Sequence, residues 1–157
     1  MRKRQKGFSL IELLVVVAII LIIAAIAIPN LMSARMSANE AAAVGAVRTL
    51  HTASATYSST YGTGFPAALA NLGPAPVASP VAADLIDSVL VTGTRNGYLF
   101  TYAAGAPDAS GNINTYTINA DPTSPGQTGV RYFYTDPSGV ITYAYGGQAG
   151  PADVPLS

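Results

Sequence analysis

A stretch near the N-terminus, GFSLIELLVVVAIILIIAAIAI from Gly7 to Ile28, decides the fold and points to the function. The part from Leu13 to Ile28 contains no polar side chain, and the only charged residue of the whole stretch is Glu12. A carboxylate inside a membrane helix costs about 2.5–3.5 kcal/mol even on insertion-based scales. An acid in such a place therefore indicates a function and requires a partner.

The partner predicted for Glu12 is the amino group that cleavage after Gly7 would create on Phe8. Phe8 precedes Glu12 by four residues, so an ammonium and a carboxylate would share one helical face or meet across two neighbouring helices. Hydrogen-bonded pairing of two charges at low dielectric offsets the cost of burying them. Such a pair would also fix the axial register between helices, as buried polar residues do in coiled coils.

The apolar run Phe8–Ile28 is long enough to span a membrane, because at 1.5 Å per residue it covers about 30 Å. Residues 1–7 carry four basic side chains, which by the positive-inside rule predict a cytoplasmic N-terminus and an exported C-terminal part. An ordinary secretory signal, cut at the A-x-A site formed by Ala25, Ile26 and Ala27, is the competing interpretation. Glu12 argues against it, because the core of a secretory signal does not need an acid.

These features together resemble the class III signal of the type IV pilin and type II pseudopilin family. The shared pattern consists of a short basic leader, Gly7 before the cut, Phe8 after it, Glu12 five residues into the mature chain, and Pro29 near the end of the apolar run. The resemblance implies cleavage at Gly7–Phe8 by a prepilin peptidase, N-methylation of Phe8, and assembly into a filament. It also implies that the helix loosens near Pro29 within that filament.

Composition limits the part beyond the membrane segment to one modest domain, because the whole chain has 157 residues. After the leader is removed, four basic side chains remain against eight acidic ones, a formal side-chain charge of −4. No basic stripe remains, so a nucleic-acid partner is not expected. Cysteine is absent, although small exported domains often contain disulfides and many type IV pilins close a C-terminal loop with one. Core packing and the long helix must then hold the domain together.

A long helix is predicted from residue 8 to about residue 61, and Pro29 within it predicts a kink. Beyond Pro29, spacings of three and four define a stripe that should pack under a globular head. Its members are Ala43, Val47, Leu50, Ser54, Tyr57 and Tyr61. Four polar residues are placed outside this stripe, namely Asn39, Glu40, Arg48 and Thr52. The glycines at 62 and 64 should end the helix.

The head is predicted to be mostly β-structure. Residues 65–83 are rich in proline and alanine and predict loop with one helical turn near residues 67–72, followed by a second short helix at 82–90. Alternating polar and apolar residues predict four strands, at 98–102, 115–119, 130–134 and 140–143. The turn Asp136–Gly139 joins the last two into a hairpin, and residues 146–157 should form a loose tail.

The predicted fold class is therefore α+β. In this pilin-like lollipop, the outer, amphipathic half of a long N-terminal helix packs on an antiparallel sheet of about four strands. We divide the chain into a leader at residues 1–7, a transmembrane and filament-core helix at 8–29, an amphipathic helix at 30–61 and a globular head at 62–157.

Other candidate sites are weaker. Asp108 begins a segment of alternating oxygen side chains, but this segment lacks the glycine and the bidentate glutamate of a calcium loop, so we interpret it as a turn. Asp136 and Asp153 lie near the C-terminal loops, where the resemblance to major pseudopilins suggests calcium but the spacing does not require it. We therefore expect no cofactor, with calcium as the remaining candidate. The strand tyrosines are interpreted as packing residues rather than an electron path or a sugar site, and His51 as a solvated surface residue.

The chain contains no nucleophile elbow, P-loop or zinc-protease motif, so an enzyme is not expected. We interpret it as a structural subunit of a type IV pilus-like filament, held in the bacterial inner membrane before assembly and located outside the cell or in the periplasm afterwards. Its expected partners are copies of itself, membrane lipid, a prepilin peptidase and the inner-membrane assembly machinery. A type II secretion pseudopilin and a signal-anchored secreted binding module remain as alternatives. The absence of tryptophan favours a pilin and the absence of cysteine a pseudopilin. A mature chain that starts at Phe8 would favour the filament, and one that starts at Ile28 simple secretion.

Overall fold

The computed structural model describes residues 7–156, so the basic part of the predicted leader, residues 1–6, lies outside the described residues. The chain forms two compact units, which join in the sequence between Arg35 and Met36. Both units contain part of one helix, α1, which begins at Leu10 and ends at Tyr61. The second unit also contains all strands of the described chain.

Helix α1 confirms the long helix expected from the sequence. It is continuous across Pro29, and it ends where the glycines predict. Gly62 has a φ of +66°, which glycine adopts without strain and which is typical of a helix C-terminus. The N–H of Gly62 donates to the carbonyl oxygen of Ser58 at 3.0 Å and closes the last turn.

In the second unit, one face of α1 is buried against the sheet. The predicted stripe is confirmed, because five of its members are buried and the sixth is half-buried: Ala43, Val47, Leu50, Ser54, Tyr57 and, in part, Tyr61. Burial of a Val or Leu side chain contributes about 1.5–3 kcal/mol. The placement of Glu40 outside the stripe is wrong, since its side chain is only 5% exposed.

Two short helices lie between α1 and the sheet. A 3-10 helix spans Leu69–Leu72, at the predicted helical turn, and helix α2 spans Ser88–Val91. Helix α2 is shorter than the predicted helix at 82–90, because Asp87 caps its start and accepts the N–H of Leu90 at 2.8 Å. Leu90 is fully buried and packs this short helix against the core.

The sheet is a six-stranded antiparallel meander in which the strands follow one another in sequence order. They are β1 (Thr94–Arg95), β2 (Tyr98–Ala104), β3 (Tyr116–Pro122), β4 (Arg131–Thr135), β5 (Ile141–Tyr145) and β6 (Val154–Pro155). Strands β2 to β5 are the four predicted strands, and β1 and β6 are short edge strands that were not predicted. The fold class is confirmed, with two more strands than expected.

Local chemistry explains both additional strands. Asn96 and Gly97 connect β1 to β2 with φ values of +50° and +73°, as a two-residue type I′ hairpin requires. Strand β6 pairs with β5, and the N–H of Leu156 donates to the carbonyl oxygen of Ile141 at 2.7 Å. The prediction of a loose tail after residue 146 is therefore wrong.

The core lies between the stripe of α1 and one face of the sheet. Burial alternates along β3, as expected for a strand with one face on the core. The large buried side chains of this face are Tyr98, Phe100, Tyr116, Ile118 and Phe133. Packing is thus confirmed as the role of Tyr98 and Tyr116, whereas Tyr145 is 67% exposed.

Candidate functional site

The predicted cleavage bond lies in a short non-helical segment before α1. Gly7, Phe8 and Ser9 have no regular secondary structure, and Phe8 is 79% exposed. A Cβ atom added to Gly7 would meet no atom of the described residues 7–156 within 4 Å, so this part of the fold does not require glycine at this position. A need for glycine here would be set by another molecule, such as a peptidase that approaches the backbone closely.

Glu12 lies in the first turn of α1 and stabilises that turn. Its Oε2 atom accepts the N–H of Ser9 at 3.1 Å, which satisfies one of the free donors at a helix N-terminus. A negative charge in the first turn is also favourable to the helix dipole. The Glu12 side chain is exposed, so the carboxylate is open to a further partner one turn beyond Phe8.

A continuous apolar surface follows Glu12. An 18-residue window of α1 has a mean hydropathy of 3.3, and none of it is buried. By length and composition this helix can cross a membrane. Exposed apolar surfaces of this size mark contacts with lipid or with other chains.

Pro29 lies inside α1 near the end of this surface. Because proline has no N–H, the carbonyl group one turn earlier loses its usual donor. The side chain of the next residue, Asn30, donates to the carbonyl oxygen of Ile26 at 3.1 Å, which is not the carbonyl that the proline leaves without a donor. The kink predicted at Pro29 stays a prediction, as does its role in a filament.

The three aspartates considered as calcium ligands each stabilise a turn of their own. Asp108, between β2 and β3, accepts two backbone N–H groups at 2.8 and 2.9 Å; the one from Asn112 contributes most to lowering the pKa of Asp108. Asp136 accepts one N–H in the β4–β5 turn at 2.9 Å, and Asp153 accepts one before β6 at 2.7 Å. The meander places Asp108 and Asp136 at one end of the sheet and Asp153 at the other. Across residues 7–156, no three His, Cys, Asp or Glu side chains lie close enough to hold a metal ion.

An ion pair between the buried Glu40 and the half-buried Arg131, in the second unit, was not predicted. The Oε1 atom of Glu40 accepts the N–H groups of Val130 and Arg131 at 2.8 and 3.1 Å, and Oε2 accepts Nε of Arg131 at 2.7 Å. Burial raises the pKa of the Glu40 carboxyl, but these hydrogen bonds and the guanidinium charge outweigh it and hold the pKa below its usual 4.5. The spacing of positions 40, 43 and 47 did indicate burial. The charge of Glu40 led to the opposite prediction, because carboxylates are seldom buried without a partner and the partner of Glu40 is 91 residues away in the sequence.

His51 is also placed differently from the prediction. It is half-buried, and its Nδ1 lies 2.7 Å from the hydroxyl oxygen of Tyr116. A Cβ atom on Gly139 would lie 3.0 Å from Nε2 of the same ring, so the β4–β5 turn packs closely on it. His51 therefore joins α1 to the sheet, and its description as a solvated residue is wrong.

An exposed N-terminal segment, an apolar helix with one acid in its first turn and an α+β head define a pilin-like class of protein. A family model described as the prokaryotic N-terminal methylation motif matches residues 2–28. The type IV wide pilus major component PilA4 of Thermus thermophilus is 60% identical over 38 residues, which cover 24% of this chain and 29% of that protein. No solved structure matches the chain. The chain therefore carries the prokaryotic N-terminal methylation motif, and a short part of it is similar to a type IV pilus component of which it spans less than a third.

Proposed function

We propose that this chain is a structural subunit of a type IV pilus-like extracellular filament. A prepilin peptidase cleaves the Gly7–Phe8 bond and methylates the new amino group of Phe8. Residues 8–29 then hold the mature chain in the bacterial inner membrane with its N-terminus cytoplasmic. The inner-membrane assembly machinery adds the chain to a homopolymer in which the apolar helices cover one another.

One observation carries this proposal: an exposed, non-helical Gly7–Phe8 segment lies directly before α1, whose first turn contains Glu12 and whose apolar 18-residue window has no buried residue. A helix that only anchored the protein in lipid would gain nothing from this acid, which lipid disfavours. A helix that polymerises gains a partner for it in the Phe8 ammonium of a neighbouring subunit. The hydrogen bond from Ser9 does not prevent this, because a carboxylate has about four acceptor positions.

Pairing of Glu12 with a neighbour supplies both energy and register. The charge on an incoming subunit favours transfer out of lipid towards an ammonium, and the directional bond selects one axial offset between helices. The apolar contacts around Glu12 would bury surface between neighbouring helices, but they would not select one axial offset. Glu12 therefore acts as the assembly residue, while the aspartates at the turns serve the fold, and we propose a subunit that needs no metal.

A type II secretion pseudopilin would share the same N-terminal chemistry. The match to a type IV pilus component favours the pilus. The location of the polymer separates the two, since a pilus subunit gives filaments on the cell surface and a pseudopilin gives a polymer in the periplasm. A secreted binding module would give neither, and its mature chain would not begin at Phe8.

The test compares wild type, Glu12→Val and the matched control Ser9→Ala, which keeps the backbone N–H that Glu12 accepts. Mass spectrometry should find all three chains starting at methylated Phe8 and present at equal levels in the membrane. Sheared surface filaments should be abundant for wild type and Ser9→Ala and scarce for Glu12→Val. Equal filament yields for all three would remove the assembly role of Glu12, and a wild-type chain starting at Ile28 would remove the filament proposal itself.

A further inference from the structure

Helix α1 is held on the head in two different ways along its length. From Ala43 to Tyr57 its buried side chains are mostly apolar and belong to the core. Among residues 36–42, by contrast, Glu40 alone is buried. The first two turns of α1 in this unit therefore add almost nothing to the hydrophobic core.

Polar bonds hold these turns on the sheet. Besides the three bonds of Glu40, the Nδ2 atom of Asn39 donates to the carbonyl oxygen of Thr128 at 3.0 Å. We call this set of five residues the Glu40 seam: Asn39, Glu40, Thr128, Val130 and Arg131. Three of its four hydrogen bonds end on one carboxylate.

The titratable groups that face Glu40 are Arg131 on β4 and Tyr98 on β2. The Tyr98 hydroxyl donates to the carbonyl oxygen of Arg131 at 2.9 Å, and burial raises the pKa of Tyr98 far above the range that matters here. Guanidinium groups are not deprotonated in proteins. Protonation of the seam therefore depends on Glu40 itself.

We propose that the Glu40 seam is a releasable latch between α1 and the sheet. In the closed state, residues 36–42 lie on the start of β4 through the Glu40 carboxylate. In the open state, these residues leave the sheet and Glu40 enters water, while the head stays folded on residues 43–57. A polar seam opens at low cost because water replaces its hydrogen bonds, whereas the apolar stripe has no such substitute.

The latch goes beyond the proposed function and is independent of it, since it concerns the head of a single chain. Its test is amide hydrogen exchange by NMR on the mature chain in detergent micelles. Val130 and Arg131 report on the seam, and Ile118 and Ala120 in β3 report on the core. Glu40→Gln removes the charge and keeps the shape of the side chain. The matched control is Asp87→Asn, which breaks the exposed 2.9 Å ion pair to Arg95 on the same head.

At pH 6.5, Glu40→Gln should lower the protection of the two seam amides by about tenfold or more and leave the core amides within about twofold, since a tenfold change corresponds to one ordinary hydrogen bond. Asp87→Asn should change neither set. Equal losses at seam and core would overturn the latch in favour of a general stabilising role, and unchanged seam protection would show that the seam does not depend on Glu40.

Acid provides a second measurement on the unmodified chain, after correction for the intrinsic exchange rate. As the pH falls through the depressed pKa of Glu40, the wild-type seam amides should lose protection while the core amides keep it, because protonated Glu40 pairs less strongly with Arg131. If Glu40→Gln does not fold, this comparison of seam and core protection in the wild-type chain is sufficient to test the latch. Simultaneous loss at seam and core as the pH falls would overturn the latch.

Discussion

Truncation of Leu50 to alanine should destabilise the head strongly. Leu50 is completely buried in the centre of the α1 stripe. The substitution removes Cγ and both Cδ methyl groups from the closely packed layer between helix and sheet. It leaves the helix propensity almost unchanged, because alanine and leucine are both strong helix formers.

The expected loss has two parts. Transfer of the three carbon atoms from water to the core is worth about 0.8 kcal/mol each, about 2.4 kcal/mol together. The cavity left behind adds to this, and measured Leu→Ala changes in cores run from about 2 to 5 kcal/mol. We expect about 3 kcal/mol, which for a domain of this size lowers the melting temperature by roughly 10 °C.

Thermal unfolding of the mature chain in detergent, followed by near-ultraviolet circular dichroism, measures this change. The chain contains no tryptophan, so the signal comes mainly from its tyrosines, of which Tyr98 and Tyr116 are buried in the core. The matched control is Thr52→Ala, an exposed position of the same helix, which should change stability by less than about 0.5 kcal/mol. If Leu50→Ala cost no more than Thr52→Ala, the packing of α1 on the sheet would be wrong.

Four further outcomes follow from the described contacts. Gly7→Val should block or greatly slow peptidase cleavage without affecting the fold. The control is Gly45→Ala, at another glycine with open space around an added Cβ, and this variant should be processed normally. Mass spectrometry of membrane fractions distinguishes cleaved from uncleaved chains. Asp121→Asn should raise the free energy of unfolding at pH 7 by roughly 1 kcal/mol, because Oδ1 of Asp121 is buried and has no hydrogen-bond partner among the described residues. Burial also raises the pKa of this carboxyl above 3.8, so urea titration should show the difference between variant and wild type vanishing as acid protonates the wild-type group. The pKa of Glu40 is lowered on folding, whereas that of Asp121 is raised, so the ionised Glu40 carboxylate stabilises the fold above pH 4.5 and this stabilisation is lost as the pH falls below it. The difference in unfolding free energy between wild type and Glu40→Gln should therefore shrink in acid and stay constant from about pH 6 to 8. Removal of calcium with EDTA should leave the melting temperature unchanged within about 1 °C by the same thermal assay, and a drop of several degrees would establish a metal site.

Local sequence patterns predicted the parts of this protein that local chemistry determines. The apolar run with Glu12, the stripe through Val47 and Leu50, and the strands that alternate polar and apolar residues all follow from periods of 3.6 and 2. Each of these patterns repeats over enough residues to exceed chance. The helix stop at Gly62 was equally visible, because few other residues accept a positive φ.

The features that escaped prediction depend on distant or very short signals. Glu40 can be buried because the Arg131 side chain and two backbone amides, 90 residues or more away in the sequence, form hydrogen bonds with it. No residue near Glu40 in the sequence indicates these partners. The strands β1 and β6 have two residues each, too few for an alternation to show. The Asn96-Gly97 pair was a usable hairpin signal. At the candidate site, the sequence indicated Gly7, Phe8 and Glu12 through residue type and spacing, while the hydrogen bond from Ser9 to Glu12 is seen only in the folded chain.

Because each strand pairs only with its neighbours along the chain, the sheet can form from the first hairpin onwards. Meanders of this kind have short loops to close and therefore fold quickly for β-structures. The contacts between α1 and β4 close a loop of about 90 residues and should form last. During folding, the chain should therefore pass through a state in which the sheet is already paired and the helix is not yet docked on it. The uncovered inner face of the sheet is most prone to aggregation at this stage.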